Sequence, residues 1–135
     1  PSASESVMPA YSPNNIFALI LRGEAPSRNV YEDEFALAFH NIHPQAPVHV
    51  LVVPKGEYVS SADFCAAAPP ELIVGFWRAV GRVATELGLD EPGYRIVANH
   101  GPDANQVVFH FHVHVIGGRR MRAVGGNAPR PGDGT

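Results

Sequence analysis

One cysteine, Cys65, is the only thiol in 135 residues. An internal disulfide is therefore excluded, and the composition suits a reducing compartment. No run approaches the roughly 18 apolar residues that a membrane-spanning helix needs. An excess of positive charge is also missing. The formal net charge is −3 and the pI about 6.2, which argues against a general nucleic-acid binder with its basic face. The opening residues, PSASESVMPAYSP, carry neither a basic nor a long apolar stretch, so they are not read as a signal peptide. No segment repeats another. These absences lead us to expect a cytoplasmic protein with neither membrane nor nucleic acid among its partners.

What is present reads as one soluble domain. Hydrophobic residues make up 45 % and charged residues 17 %, ordinary values for a globular chain long enough to build a single core. Residues 1–12 are small, polar and proline-bearing and read as a flexible arm. The domain spans 13–122, and the Gly/Pro-rich tail 123–135 is expected to lack regular structure. Ser12-Pro13 looks like a helix N-cap with proline at the first helical position, opening a short helix that carries Ile16, Phe17, Ile20 and Leu21 and stops at Gly23.

Strands are expected near Asn29–Glu32 and Phe35–Ile42, joined by a turn at Asp33. Residues 43–47 (HPQAP) form a rigid connector, and His49–Pro54 reads as a strand closed by its proline. Pro69-Pro70-Glu71 begins the main helix, in which Leu72, Phe76, Val80, Val83 and Leu87 fall at helical spacing and Gly88 supplies the stop. Ile73 and Trp77 widen the apolar arc, which fits either a deeply packed helix or one that also meets a partner subunit. Tyr94–Asn99 and Val107–Ile116 complete the strands. About five strands and two main helices, without regular βαβ alternation, make the fold class α+β.

The segment HFHVHVIGG, residues 110–118, carries the chemistry. Alternate residues of a strand share a face, so Val107, Phe109, Phe111, Val113 and Val115 would face the core. His110, His112 and His114 would then stand together on the other face. Three readings compete. A solvated face needs only generic polarity, and threonine or lysine would serve as well. A metal would accept neutral imidazoles, but same-face Cα atoms lie roughly 6.5–7 Å apart on one strand, which hinders convergence on one ion. Phosphoryl chemistry uses the set best. A neutral imidazole attacks phosphorus and forms a covalent intermediate that water cleaves. Crowded imidazoles resist being charged together, and the others donate to phosphate oxygens or protonate a leaving group.

The run His110-Phe-His112-Val-His114-Val-Ile116 resembles the signature of the histidine triad (HIT) nucleotide hydrolases and transferases. The two glycines that follow resemble the Hint branch, where the Fhit branch usually has proline. The likeness extends to IFALILRGEAPSRNVYEDEFALAFHNIHPQAPVHVLVVPK and GLDEPGYRIVANHG, and so covers about residues 15–122. It implies a HIT-like fold with a five-stranded antiparallel sheet, two such sheets joining across a homodimer.

The resemblance also implies roles. His112 would be the nucleophile on the α-phosphorus, His114 a donor to a phosphate oxygen, and His110 a third member near the reacting centre. His49, on another strand, would complete the catalytic set, with Leu51 and Val53 sharing its face. A purine nucleotide resembling AMP would lie with its base among Ile16, Phe17, Ile20, Phe39, His40, Ile42 and Leu51, although core packing accounts equally well for the aliphatic members. Asn41 would hold the ribose, where Hint proteins carry aspartate and Fhit-type proteins asparagine. Asn99 and Gln106 would line the phosphate site, with backbone N–H groups of the Gly101–Gln106 loop cradling the anion. Val107 stands where Hint enzymes usually offer a serine. The tail segment RRMRAVGG lacks the tryptophan that many Hint proteins have. His43 and His100 match no role and read as surface-loop residues.

The implied activity is a purine nucleoside phosphoramidase or nucleotidyl hydrolase that requires no metal or cofactor. Two alternatives stand beside it. One is Fhit-like cleavage of dinucleoside polyphosphates, to which Asn41 lends weight. The other is a nucleotide-binding regulatory protein with incidental turnover.

Overall fold

A computed structural model of the chain describes residues 8–124. Its elements are helix α1 (Ile16–Leu21), strands β1 (Asn29–Glu32), β2 (Ala36–His40) and β3 (Val48–Pro54), helices α2 (Ser61–Ala67) and α3 (Pro70–Glu86), and strands β4 (Tyr94–Val97) and β5 (Val113–Gly117). The five strands form one sheet in the order β1-β2-β3-β5-β4, and every neighbouring pair is antiparallel. The α+β class and the five-stranded antiparallel sheet are those expected.

Alternation divides the sheet into two faces. Ala36, Ala38, Val50, Val52, Val113 and Val115 face α2 and α3, where Phe64, Phe76, Val80 and Val83 complete the main core. Phe64, Phe76 and Phe111 pack ring on ring, with centroids 4.7–5.3 Å apart. Truncating one of these rings removes about 3–5 kcal/mol of stability. The two alanines of β2 leave room for the helix, and Gly75 does the same from the other side. A Cβ on Gly75 would collide with the ring of Phe35. The opposite face carries Leu37, Phe39, Leu51 and Val53, covered by Phe17 of α1.

Several boundaries differ from the sequence reading. Helix α1 is capped by Asn15, whose side chain accepts the Ala18 N–H at 2.9 Å. Ser12 instead opens the turn before it, its carbonyl accepting the Asn15 N–H. Helix α2 was not expected. Ser60 caps it, and Asp63 returns a bond to the Ser60 N–H, a reciprocal capping box. Strand β2 begins late because the Asp33 carboxylate accepts the N–H groups of both Phe35 and Ala36.

The largest difference lies in the histidine segment. Strand β5 begins only at Val113, and residues 107–112 run outside the sheet. The Phe111 N–H is held instead by the carbonyl of Tyr58, at 2.7 Å.

Gly118 closes β5 at φ 94°, and a Cβ there would lie 2.8 Å from Cβ of Pro47. Both constraints select glycine. Among the described residues, no helix is long and apolar enough to cross a membrane. Positions 1–7 of the expected arm and 125–135 of the expected tail lie outside the described residues.

Candidate active site

The face carrying Leu51 and Val53 also carries His49 and His114. Register places Leu51 opposite His114 and His49 opposite Ile116, so the two histidines are diagonal neighbours, within reach of long side chains. Nε2 of His49 lies 2.8 Å from Nδ1 of His114. The other nitrogen of His49, Nδ1, accepts the backbone N–H of Gln45 at 2.9 Å.

A backbone N–H can only donate, so the tautomers follow. Neutral His49 carries its proton on Nε2 and donates it to His114 Nδ1, and neutral His114 then carries its own proton on Nε2. The amide nitrogen of Asn41 is also 3.3 Å from His49 Nε2. Two donors do not bond each other, and the shorter contact with His114 is the bond made.

His112 lies two residues before His114, outside the strand, and is buried. Its Nδ1 donates to the carbonyl of His110 at 2.7 Å, which leaves the lone pair on Nε2. Its ring stands 5.1 Å from that of His114 and meets the ring of Phe17 edge-on at 4.9 Å.

His110 keeps the expected face, beside Phe17 with His112, but is covered there. It is 0 % exposed. Nε2 donates to the carbonyl of Pro54 at 3.2 Å, and Nδ1 accepts the hydroxyl of Tyr11 at 2.8 Å. Both nitrogens are spent within the protein, so the ring is an anchor with none free for a substrate.

Burial also governs the charge of these groups. Desolvation lowers the pKa of His110 and of His114 to about 4, and imidazole neighbours add to the effect at both. His112 is lowered by desolvation against the opposing bond to the His110 carbonyl, and His49 is lowered by desolvation. The four imidazoles are therefore neutral near pH 7, as nucleophilic attack by one of them requires.

The residues expected around a base and ribose are only partly assembled. Phe17, Phe39 and Leu51 form one cluster with Ile20 at its edge. Ile16, opening α1, and Ile42, beyond the end of β2, are 46 % and 86 % exposed. His40 pairs with Val50 and so shares the face of α3. Adjacent strand residues cannot both face one pocket, and Phe39 takes the site side. Asn41 is half-buried, and its Oδ1 accepts the His43 N–H at 2.8 Å.

The expected phosphate loop is built otherwise than anticipated. The Gln106 side chain is consumed internally, donating to the carbonyls of Val59 and Val108 and accepting the Gly101 N–H. The N–H groups of Asn105 and Gln106 bond back to Pro102 and Gly101, so these donors brace the loop and are not free for an anion. Asn99 is half-buried on the segment after β4. Val107 is 72 % exposed and lines a groove of about 260 Å³ with Pro9 and Ala10 of the N-terminal segment.

One residue escaped the sequence reading. Tyr11, assigned to the flexible arm, is tied to His110. A lone aromatic in a polar, proline-bearing arm was the available signal. His100 is an exposed loop residue, as expected, with its Nδ1 2.6 Å from the Ser60 hydroxyl.

A family model described as HIT domain matches residues 22–121. A 13.2 kDa HIT-like protein of Azospirillum brasilense is 60 % identical over 111 residues, covering 82 % of this chain and 91 % of that protein. A 14 kDa zinc-binding protein of Brassica juncea is 46 % identical over 109 residues, covering 80 % of this chain and 96 % of its own. The crystal structure of a HIT family hydrolase from Legionella pneumophila superposes with a TM-score of 0.75 at 39 % identity, covering 80 % of this chain and 96 % of that one.

Proposed function

Since the chain belongs to the HIT family, we propose that it is a hydrolase acting at the α-phosphate of purine nucleotides through a covalent nucleotidyl-His112. The observation that carries this reading is the 2.7 Å bond from His112 Nδ1 to the His110 carbonyl. It leaves the lone pair on Nε2 in a neutral ring.

In the proposed reaction Nε2 bonds to phosphorus as the bond to the leaving group breaks. The leaving group takes a proton from solvent as it departs, and the hydrolytic step returns one when water cleaves the nucleotidyl-imidazolium. His114, whose Nδ1 is already occupied by His49, offers Nε2–H to a phosphate oxygen, where charge builds in the transition state. Water then attacks the nucleotidyl-histidine, releases the nucleotide and restores the imidazole. The favoured substrate is a purine nucleoside phosphoramidate. Asn41, an amide at the proposed ribose position, supports dinucleoside polyphosphates as the second choice.

No metal or cofactor takes part in this scheme. His49 and His114 are bonded to each other, and His112 Nδ1 is committed to a carbonyl. A metal bound through those nitrogens would have to displace these bonds. The zinc in the name of the Brassica juncea protein is said of that protein.

A homodimer accompanies the proposal. Val74 and Trp77 on α3 and Tyr94 and Ile96 on edge strand β4 stand 36–50 % exposed, a set of apolar side chains that a second copy would cover. Ile73, by contrast, packs against the main core, so only part of the wide apolar arc needs a partner. An exposed free thiol at Cys65 suits the cytoplasmic setting that we also propose.

His112→Asn tests the reading. It keeps a polar side chain of similar reach and removes the nucleophile. AMP binding should persist while hydrolysis of an adenosine phosphoramidate falls by several orders of magnitude. Wild-type enzyme trapped during turnover should carry one nucleotidyl group on the peptide containing residues 107–116. Near-normal turnover by the variant, with no adduct on the wild type, would overturn it.

A further inference from the structure

We propose that Tyr11 is a positioning residue for His112, acting through the buried ring of His110, so that the N-terminal segment is part of the catalytic apparatus. The inference rests on the reading of His112 as nucleophile.

His110 precedes β5, where no strand ladder fixes the chain. Its side chain shares the anchorage with the next backbone N–H, that of Phe111, which the Tyr58 carbonyl holds at 2.7 Å. Nε2–H reaches the Pro54 carbonyl on β3, and Nδ1 receives the Tyr11 hydroxyl. The carbonyl of the same residue is the acceptor for His112 Nδ1–H. Whatever holds residue 110 in place therefore holds the group that selects the tautomer of His112.

A neutral imidazole has one proton. With that proton given to Pro54, Nδ1 of His110 is a bare acceptor in a site with 0 % exposure, and a buried acceptor without a donor is costly. The Tyr11 hydroxyl supplies the donor. The Tyr11 ring lies against His110 at 5.6 Å, and Phe17 approaches edge-on at 6.4 Å. Apolar edges so placed discourage a water from replacing the phenol. Without the hydroxyl, the His110 ring gains by turning to bring Nδ1 to another donor. That movement breaks its bond to Pro54 and loosens the residue 110 carbonyl.

The test is Tyr11→Phe, which keeps the ring and deletes the donor. Imidazole 15N resonances report which nitrogen bears the proton. In the wild type at pH 7.5 they should show Nε2–H for His110 and Nδ1–H for His112. In Tyr11→Phe the His112 pair should move toward the average of the two tautomers, and kcat should fall about tenfold while KM stays within about twofold. An unchanged His112 pattern overturns the proposal even if kcat falls, because the role is then structural only. A changed pattern at full kcat overturns it as well.

If Tyr11→Phe yields no folded protein, 3-fluorotyrosine at position 11, close in shape and a stronger acid, takes its place. A shift of the His110 Nδ1 resonance supports the proposal and its absence overturns it. Failure of the underlying reading shows separately. Normal turnover by His112→Asn would remove the nucleophile while leaving the 15N signature of the Tyr11–His110 bond intact.

Discussion

Nε2 of His49 and Nδ1 of His114 face each other at 2.8 Å, although 65 residues separate them in the chain. The backbone N–H of Gln45 sets the direction of the proton from the far side of His49. His114 is thereby left with its own proton on Nε2, the nitrogen that the mechanism needs as a donor. A connector loop thus decides the chemistry of a strand residue through an intervening ring.

Replacing His49 by leucine should remove that control. His114 Nδ1 would lose its donor and the ring could settle in either tautomer. We expect kcat on an adenosine phosphoramidate to fall by about tenfold or more, as for loss of one hydrogen-bonded group that orients a catalytic ring. Steady-state kinetics decide, and an unaltered kcat would detach His49 from the site.

Acid should destabilise the protein before it approaches the carboxylate range. His110 and His114 have folded-state pKa values lowered to about 4, below an unfolded value near 6.5. Between those limits the unfolded chain binds more protons, so stability rises with pH. The stabilising contribution is full above about pH 6.5 and is lost as pH falls toward 4. Each histidine adds a slope of up to about 1.4 kcal/mol per pH unit in that window. Urea midpoints at pH 7.5, 6 and 5 measure it, and a flat profile would contradict the burial of these rings in solution.

Asn41→Leu should weaken AMP binding by about 1–3 kcal/mol, the cost of leaving ribose hydroxyls without a partner. The same change removes the acceptor of the His43 N–H, so thermal unfolding must accompany the titration. An unchanged dissociation constant for AMP would move the ribose elsewhere.

Gly118→Ala should destabilise the fold by about 1–3 kcal/mol. A side chain there is strained at positive φ and would meet Pro47 as well. Denaturant unfolding gives the number. A neutral result would mean that the connector carrying Pro47 yields easily.

Light scattering at micromolar concentration should return a species of twice 14.5 kDa, and Trp77→Lys should shift it toward the monomer by placing a charge in the proposed contact. A wild type that runs as a single 14.5 kDa species would remove the dimer.

Periodicity found what periodicity can encode. The α3 stripe of Phe76, Val80 and Val83 and the β3 alternation around His49 were legible because burial alone determines them. The triad segment shows the limit. Its alternation over 107–116 is strand-like, but a strand also needs neighbours, and pattern in one segment says nothing of the partner at each position. His110 is buried on its expected face because two distant groups, the Tyr11 hydroxyl and the Pro54 carbonyl, satisfy it there. That arrangement leaves no mark in the local sequence. Helix α2 is different, since Ser60 and Asp63 spelled out its capping box. The facing of His40 is likewise legible, because alternation puts it on the opposite face from Phe39 beside it.

The pairing of β3 with β5 is protected against error twice over. Shifting one strand by a single residue would drive His49 or His114 in among Val50, Val52 and Val115, and hydrophobic alternation forbids every odd slip. A shift of two residues keeps each side chain on its proper face and offends no pattern of burial. It would, however, carry His49 about 6.6 Å along the sheet and break the contact with His114. The even slips are rejected by the imidazole pair itself. The bond that prepares a proton for chemistry is therefore also the error check on how the sheet zips together.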